Sequence, residues 1–310
     1  MSAFVVVNPA SGTTRRDWRG VEEALSAIYP YMSVAFTRGR GDAAALVTGA
    51  LREGHHEIVA VGGVGTINEA ANGFFDMGVP ISPDAVLAFV CCGTGGDFKK
   101  ALGTTESGVQ AAERLRHASV RAIDVGRVSF LSKKGMARSR AFVNIASFGL
   151  SGKIVDSVDR ATISRLFGSP FAFAFHSALG LLTYRGRTVR LIVDDVYDQI
   201  VKISTVAVAN GCCFGGGMQV APDAKSDDGL FDVVIIADTP KRQMLADMKL
   251  IHTGEHLGNP NVRVIRGRKV VAAPVAETRG RAVLIETDGE GVGRLPATFE
   301  ILPRALNVRC

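Results

Sequence analysis

Three short stretches set small residues beside polar ones: NPASG (Asn8–Gly12), GGVGT (Gly62–Thr66) and CCGTGGDF (Cys91–Phe98). Glycines at 62, 63 and 65 tolerate φ > 0, so successive N–H groups can turn into one concavity and hold anionic oxygens. Thr66 stands at the expected start of a helix, where an anion also meets the helix dipole, and Asn68 and Glu69 fall in the first turn. Ser11, Thr94 and Asp97 bring hydroxyls and a carboxylate to the other two stretches. The chemistry that suits this set is the handling of phosphate groups. Any one stretch also reads as an ordinary tight turn, and the repetition is what makes the set specific. Two acidic stretches follow, Asp223–Asp232 and DGEG (Asp288–Gly291). The first could hold a hard cation through oxygens, although its spacing is not that of an EF-hand. Both also read as turns, since Asp-Gly alone is a strong hairpin signal.

Other chemistries find less support. The chain has no GxxxxGK[ST] and no GxGxxG, which removes the main marks of a P-loop and of a dinucleotide-binding Rossmann turn. His252-Thr-Gly-Glu-His256 matches the HxxEH zinc-peptidase pattern, but Gly254 weakens the helix that would bring both histidines to one face. The five cysteines form two adjacent pairs, Cys91–Cys92 and Cys212–Cys213, plus Cys310, with no CxxC. They read as reduced thiols, in keeping with a cytoplasmic location, and not as a disulfide framework.

The elements that must position these residues alternate in the first 120 residues. Phe4–Val7, Val34–Thr37, Glu57–Val61 and Ala85–Val90 are strand-like, and Trp18–Ile28 and Ala43–Arg52 have helical patterns, the second opening after Asp42 as N-cap. This alternation predicts a parallel α/β sheet with right-handed crossovers. All three glycine stretches follow strands, which puts them on the carboxyl edge where such sheets bind ligands. Beyond about Ile123 strand-like runs follow one another: Val125–Phe130, Ala141–Ala146, Val189–Val193, Val201–Ala209, Phe231–Ile236, Val270–Ala273, Ala282–Thr287 and Thr298–Leu302. They predict a mainly antiparallel second domain, 124–303, facing the first, 1–123, across a cleft. Helical insertions are expected near Lys153–Arg165 and Phe167–Tyr184. In the latter, Phe167, Phe171, Phe175, Leu179 and Leu182 share one face, flanked by Arg160, Arg165, Arg185 and Arg187. Such a face could accept acyl chains or rest at a membrane interface, or it could pack as a core helix.

With 310 residues, 47% of them hydrophobic, the chain can bury a substantial core. The net charge of +6 suits an anionic partner such as a nucleotide phosphate or an acidic membrane surface. Nucleic acid is disfavoured, because no Lys/Arg tract is interleaved with aromatics. No apolar run reaches the roughly 20 residues of a spanning helix.

Seven segments recur in a fixed order: VVVNPASG (Val5–Gly12), TRGRGDA (Thr37–Ala43), GGVGTINEAANG (Gly62–Gly73), GTGGDFKKALG (Gly93–Gly103), Asn210–Ile236, DGEG and PRALNV (Pro303–Val308). Together they resemble the catalytic-domain family of diacylglycerol, sphingosine and ceramide kinases, particularly the bacterial soluble lipid kinases. NAD kinases share a GGDGT-type loop but lack the GGGM, DDGL and DGE series. The resemblance implies a nucleotide-binding α/β domain, a β-sandwich-like second domain and a site between them, with the final segment returning to the first domain. It implies ATP and Mg²⁺ as cofactors and a lipid hydroxyl as acceptor. By the same resemblance Asn8, Thr37, Gly62, Gly63, Gly65, Thr66, Asn68, Glu69 and Thr94 match nucleotide-binding positions, and Glu290 matches the catalytic one. Asp228, with the main chain around Lys225 and Leu230, matches a structural magnesium site, and Asp97 could orient the phosphates or the nucleophile. One departure stands out. The family pattern expects aspartate where this chain has Val64, which implies phosphate binding better preserved than turnover.

Overall fold

The computed structural model describes residues 2–76, 78–92, 96–160, 180, 183–275 and 282–310. The apolar runs of the first half become strands, β1, β3 and β6 largely buried on both faces and β2 an exposed edge. β1 (Ser2–Val7), β2 (Tyr31–Phe36), β3 (Glu57–Gly62) and β6 (Val86–Cys91) pair in parallel in the order β2-β1-β3-β6. Parallel neighbours need crossovers, and α1 (Thr14–Ser26), α2 (Asp42–Arg52) and α3 (Val64–Asn72) supply them. Because side chains alternate along a strand, β1 feeds two layers. Val6 packs in a cluster with Val47 of α2 and Ile67 of α3, while Val5 and Val7 share the opposite cluster with Val21 and Leu25 of α1. A small hairpin, β4 (Phe75–Asp76) and β5 (Val79–Pro80), precedes β6, and α4 (Asp97–Ala101) and α5 (Gly108–Arg114) follow it.

The second half is antiparallel. It runs β7 (Val120–Leu131), β8 (Ala137–Phe142), β9 (Ile145–Gly149), α6 (Leu150–Arg160), β10 (Arg187–Val193), β11 (Tyr197–Ala209), β12 (Phe231–Ala237), α7 (Lys241–Ile251), β13 (Val262–Gly267), β14 (Lys269–Pro274), β15 (Leu284–Thr287) and β16 (Glu290–Arg309). Its core holds Phe142 stacked on Phe231 and Phe148 stacked on Phe299, with ring centroids 5.7 and 5.9 Å apart.

β16 joins the halves. It starts at Glu290, pairs antiparallel with β15, β14 and β7, and ends with Asn307–Arg309 in parallel register with Val86–Ala88 of β6. Among the described residues this makes one continuous 14-stranded sheet, and position 123/124 lies inside β7. Leu306 and Val308 are buried beside Leu87 and Phe89. Arg309 then forks onto Glu57 at 2.6 and 3.0 Å, and the Tyr29 hydroxyl donates to the same carboxylate at 2.8 Å.

Local differences from the sequence reading have physical causes. Gly41, at φ +84°, caps α2, while Asp42 sits in the first turn and accepts the Arg38 N–H at 2.7 Å. α3 begins at Val64, not at Thr66, because Gly63 already takes the extended N-cap conformation. β13 has polar and apolar residues mixed in an edge strand, and its weak apolar pattern does not announce it. The HTGEH segment is no zinc helix: α7 ends at Ile251, Gly254 turns left-handed at φ +80°, and buried His256 meets the Val220 carbonyl through Nε2 at 3.1 Å.

Leu306→Ala tests the return of β16. The side chain is 1% exposed, so its truncation should destabilise the protein by about 2–5 kcal/mol, read by denaturant unfolding. A midpoint equal to wild type would show that the C-terminal pairing adds little.

Candidate functional site

The glycine turns meet at the carboxyl ends of β1 and β3. Asn8 donates through Nδ2 to Thr66 Oγ1 at 2.9 Å and accepts the Ala10 N–H on Oδ1 at 3.1 Å, tying NPASG to α3. The approach is close enough to require glycine: a Cβ at Gly63 would lie 2.5 Å from Ser11 Oγ, and one at Gly62 would lie 2.7 Å from Thr66 Oγ1. Thr37 joins the same edge, its N–H bonded to the Val7 carbonyl at 2.8 Å. The first N–H groups of α3 lack helical partners, so they and the dipole favour an anion here. Glu69 does not face such an anion. Its oxygens accept the N–H groups of Gly41 at 2.7 Å and Ala43 at 3.3 Å, which fastens the start of α2. Thr94 lies outside the described residues, as do 161–179, 181 and 182, which hold most of the apolar Phe167–Leu182 face.

Glu290 lies against this turn. A Cβ on Gly65 would come 3.3 Å from its Oε1, close enough that the carboxylate would have to give by a few tenths of an ångström. Arg140 Nη2 donates to Glu290 Oε2 at 2.6 Å and to Asn68 Oδ1 at 2.8 Å, and Arg40 approaches the same Glu290 oxygen at 3.5 Å. Arg40, Gly41, Glu69, Asn72, Arg140 and Glu290 surround a hollow of about 400 Å³. The position of Glu290 depends on its neighbour. Asp288 and Gly289, at φ +47° and +83°, form the two-residue turn between β15 and β16. The buried Asp288 carboxylate accepts the N–H groups of Val143, Asn144 and Ile145 at 2.9, 3.0 and 2.9 Å, and also the Asn68 amide. Burial pushes its carboxyl upward, against the pull of the three N–H groups. Every partner is a donor, which suits the carboxylate form. Behind the turn Glu286 is fully buried, and burial pushes its carboxyl up to about 7 against hydrogen bonds from Ser147 and the Gly289 N–H.

Asp288, Arg140 and Asn72 carry no role in the sequence reading. Asn72 had a detectable signal: it lies four residues after Asn68 on α3 and so shares its face. Its amide group pairs with Ala141 of β8 as a strand would, donating at 3.0 Å and accepting at 2.9 Å. Arg140 had none, because its relation to Glu290 spans 150 residues.

Asp97 heads α4. Its Oδ2 accepts the Gly216 N–H at 3.0 Å from the GGGM segment of the second half, while its buried Oδ1 has no hydrogen-bond partner. Asp228 lies elsewhere, in the turn before β12. Its Oδ1 accepts the Leu230 N–H at 3.1 Å, and its Oδ2 is held by Arg266, which also reaches Asp232 at 3.0 Å. A guanidinium thus stands where a cation on Asp228 would. No group of three or more His, Cys, Asp or Glu among the described residues could hold a metal ion.

Comparisons with known proteins find matches in both halves of the chain. Residues 2–128 match the model of the diacylglycerol kinase catalytic domain, and residues 144–310 match that of the YegS C-terminal NAD kinase beta sandwich-like domain. A diacylglycerol kinase of Staphylococcus haemolyticus is 27% identical over 99% of this chain and 87% of its own length. A Chromohalobacter salexigens protein named "Probable lipid kinase YegS-like" is 31% identical over 66% of this chain and 62% of its own. The crystal structure of a Bacillus anthracis diacylglycerol kinase superposes with a TM-score of 0.71 at 19% identity, covering 99% of this chain and 96% of that one. An Archaeoglobus fulgidus NAD kinase in complex with ATP gives 0.50 at 18%, covering 100% and 94%, so both structures speak for the fold alone. With both halves matched, and in this order, the chain belongs to the lipid-kinase family that joins a diacylglycerol kinase catalytic domain to a YegS-type C-terminal domain.

Proposed function

We propose that the protein transfers the γ-phosphoryl group of ATP to a primary hydroxyl of a diacylglycerol-like or sphingoid/ceramide lipid, between its two domains. The contact between Gly65 and Glu290 carries this reading, because it sets a carboxylate beside a turn able to hold phosphates. Phosphoryl transfer needs alignment and charge neutralisation more than covalent help from the protein. Asn8, Thr37, Gly62, Gly63, Gly65, Thr66, Asn68 and Thr94 would bind the nucleotide. Glu290 would accept the proton of the attacking lipid hydroxyl, once Arg140 yields its oxygen. Magnesium bound with the nucleotide would neutralise phosphate charge, and Asp97, whose buried Oδ1 has no hydrogen-bond partner, is the acid we assign to meet it.

The lipid would approach by the Phe167–Leu182 segment. At its end Lys153 and Arg187 lie 5.9 and 5.7 Å from the Tyr184 ring, and Lys241 donates to the Tyr184 carbonyl. Such a cation group supports peripheral contact with an anionic membrane surface from the cytoplasmic side. No helix among the described residues is long and apolar enough to cross a membrane. A second reading, a member that binds nucleotide or lipid with impaired turnover, is favoured by Val64, which starts α3 with a side chain unable to meet a cation.

A phosphate-transfer assay over diacylglycerol, ceramide, sphingoid base and monoacylglycerol separates the two. Glu290→Gln should lower kcat by about 10²–10⁴-fold with melting unchanged. Full activity in that variant would sink the assigned base. Wild-type silence with recovery in Val64→Asp would establish the impaired member.

The magnesium site inferred at Lys225, Asp228 and Leu230 competes with Arg266. Arg266→Met should make the melting temperature rise with added Mg²⁺ while wild type responds little. A flat response in both chains would remove this turn as a cation site.

Glu286 holds its proton more tightly folded than unfolded, so its stabilising contribution is complete below pH 4.5 and is lost as pH rises through about 7. Stability should decline by up to about 3 kcal/mol across that window, and Glu286→Gln should flatten the slope. Parallel pH profiles in the two chains would contradict this.

A further inference from the structure

A second cavity, of about 420 Å³, shares no lining residue with the Glu290 hollow. It opens among Thr104, Glu106, Arg114, His117, Arg121 and Cys310, where α4 and α5 meet the start of β7 and the end of β16. Three basic side chains face one acidic side chain there. Both guanidinium groups are fixed from behind. Arg114 lies over the Phe89 ring at 5.9 Å, and Arg121 donates through Nη2 to the Leu102 carbonyl at 3.0 Å. Yet the Nε atoms of both are buried without a hydrogen bond. Glu106 does not satisfy them: it approaches Arg114 Nε at 3.7 Å, beyond hydrogen-bond length, while accepting the Thr105 N–H at 3.1 Å. With three basic side chains to one acidic side chain, the lining of the hollow suits an anionic acceptor. Planar guanidinium groups fit phosphate oxygens best. The hollow is also within the range of small-molecule sites, larger than a bare phosphate.

We propose that this cavity is a second anion site, which holds the phosphate of a small phosphorylated molecule or of a lipid headgroup between Arg114, His117 and Arg121. Its rim continues from α4, and Lys99 of that helix donates to the Thr105 carbonyl at 2.9 Å and to Ser107 Oγ at 2.7 Å. An occupant therefore bears on the helix that begins at Asp97.

The test is an amide-resolved NMR titration of the intact chain with inorganic phosphate, alongside sedimentation with phosphatidylglycerol vesicles. Wild type should show saturable shifts at Thr104, Glu106 and Ser119. Arg121→Gln should weaken them about tenfold, the loss of one charge-assisted hydrogen bond. His117→Gln, on an exposed side chain that leaves folding intact, should weaken them several-fold and keeps the test valid if Arg121→Gln melts early. Saturation by inorganic phosphate assigns a soluble ligand. Shifts that need vesicles, with sedimentation reduced in both variants, assign a headgroup. Shifts confined to Gly62–Thr66, or equal affinities in wild type and His117→Gln, would overturn the site.

Discussion

The Asp288 carboxylate gathers three consecutive main-chain N–H groups of Val143–Ile145 and the side-chain amide of Asn68. A buried carboxylate left unpaired would cost several kcal/mol, so these donors and the turn that presents the acid are held together. The β8–β9 connection, the first helix after the glycine turn and the head of β16 thereby become one unit. Glu290, two residues after Asp288, inherits its position from that unit. The carboxylate beside the glycine turn is thus set by a second carboxylate buried behind it.

Charge around Glu290 is arranged on the same principle. Arg140 bridges Glu290 and Asn68, and Arg40 approaches too, so one carboxylate oxygen, Oε2, meets both cations while Oε1 lies nearest Gly65. Asn68 is the hinge of this arrangement, since it donates to Asp288 with its nitrogen and accepts from Arg140 with its oxygen. Without Asp288 its buried nitrogen would lose its acceptor, and without Arg140 its oxygen would keep only the 3.3 Å bond from the Asn72 amide. Glu69, beside it in sequence, is turned to the opposite task of fastening α2.

The continuous sheet makes this geometry durable. β16 leaves the site at Glu290, crosses the antiparallel core and ends paired to β6, the strand that leads into the Asp97 loop. A relative shift of the halves would have to break the Asn307–Arg309 register and the Arg309–Glu57 fork as well as the Asp288 contacts. The Gly216 N–H on Asp97 adds a further tie near the site. Arg266 closes the Asp228–Asp232 acid pair in the same self-contained way, with a side chain in the position of an ion.

Sequence alone determined what depends on local order. Alternating strands and helices, the glycine turns after strands, and the ordered series from VVVNPASG to PRALNV follow from periodicity, backbone freedom and motif spacing, all properties of neighbouring residues. They marked the family and Glu290, and they exposed Val64 as the departure. Tertiary structure decided the division of labour among the acids. Glu69 became a structural clasp, Asp288 the anchor and Asp228 the partner of an arginine 38 residues away. Each outcome turns on which donors reach a carboxylate across the fold, and a donor 28, 145 or 220 residues distant leaves no trace in local spacing.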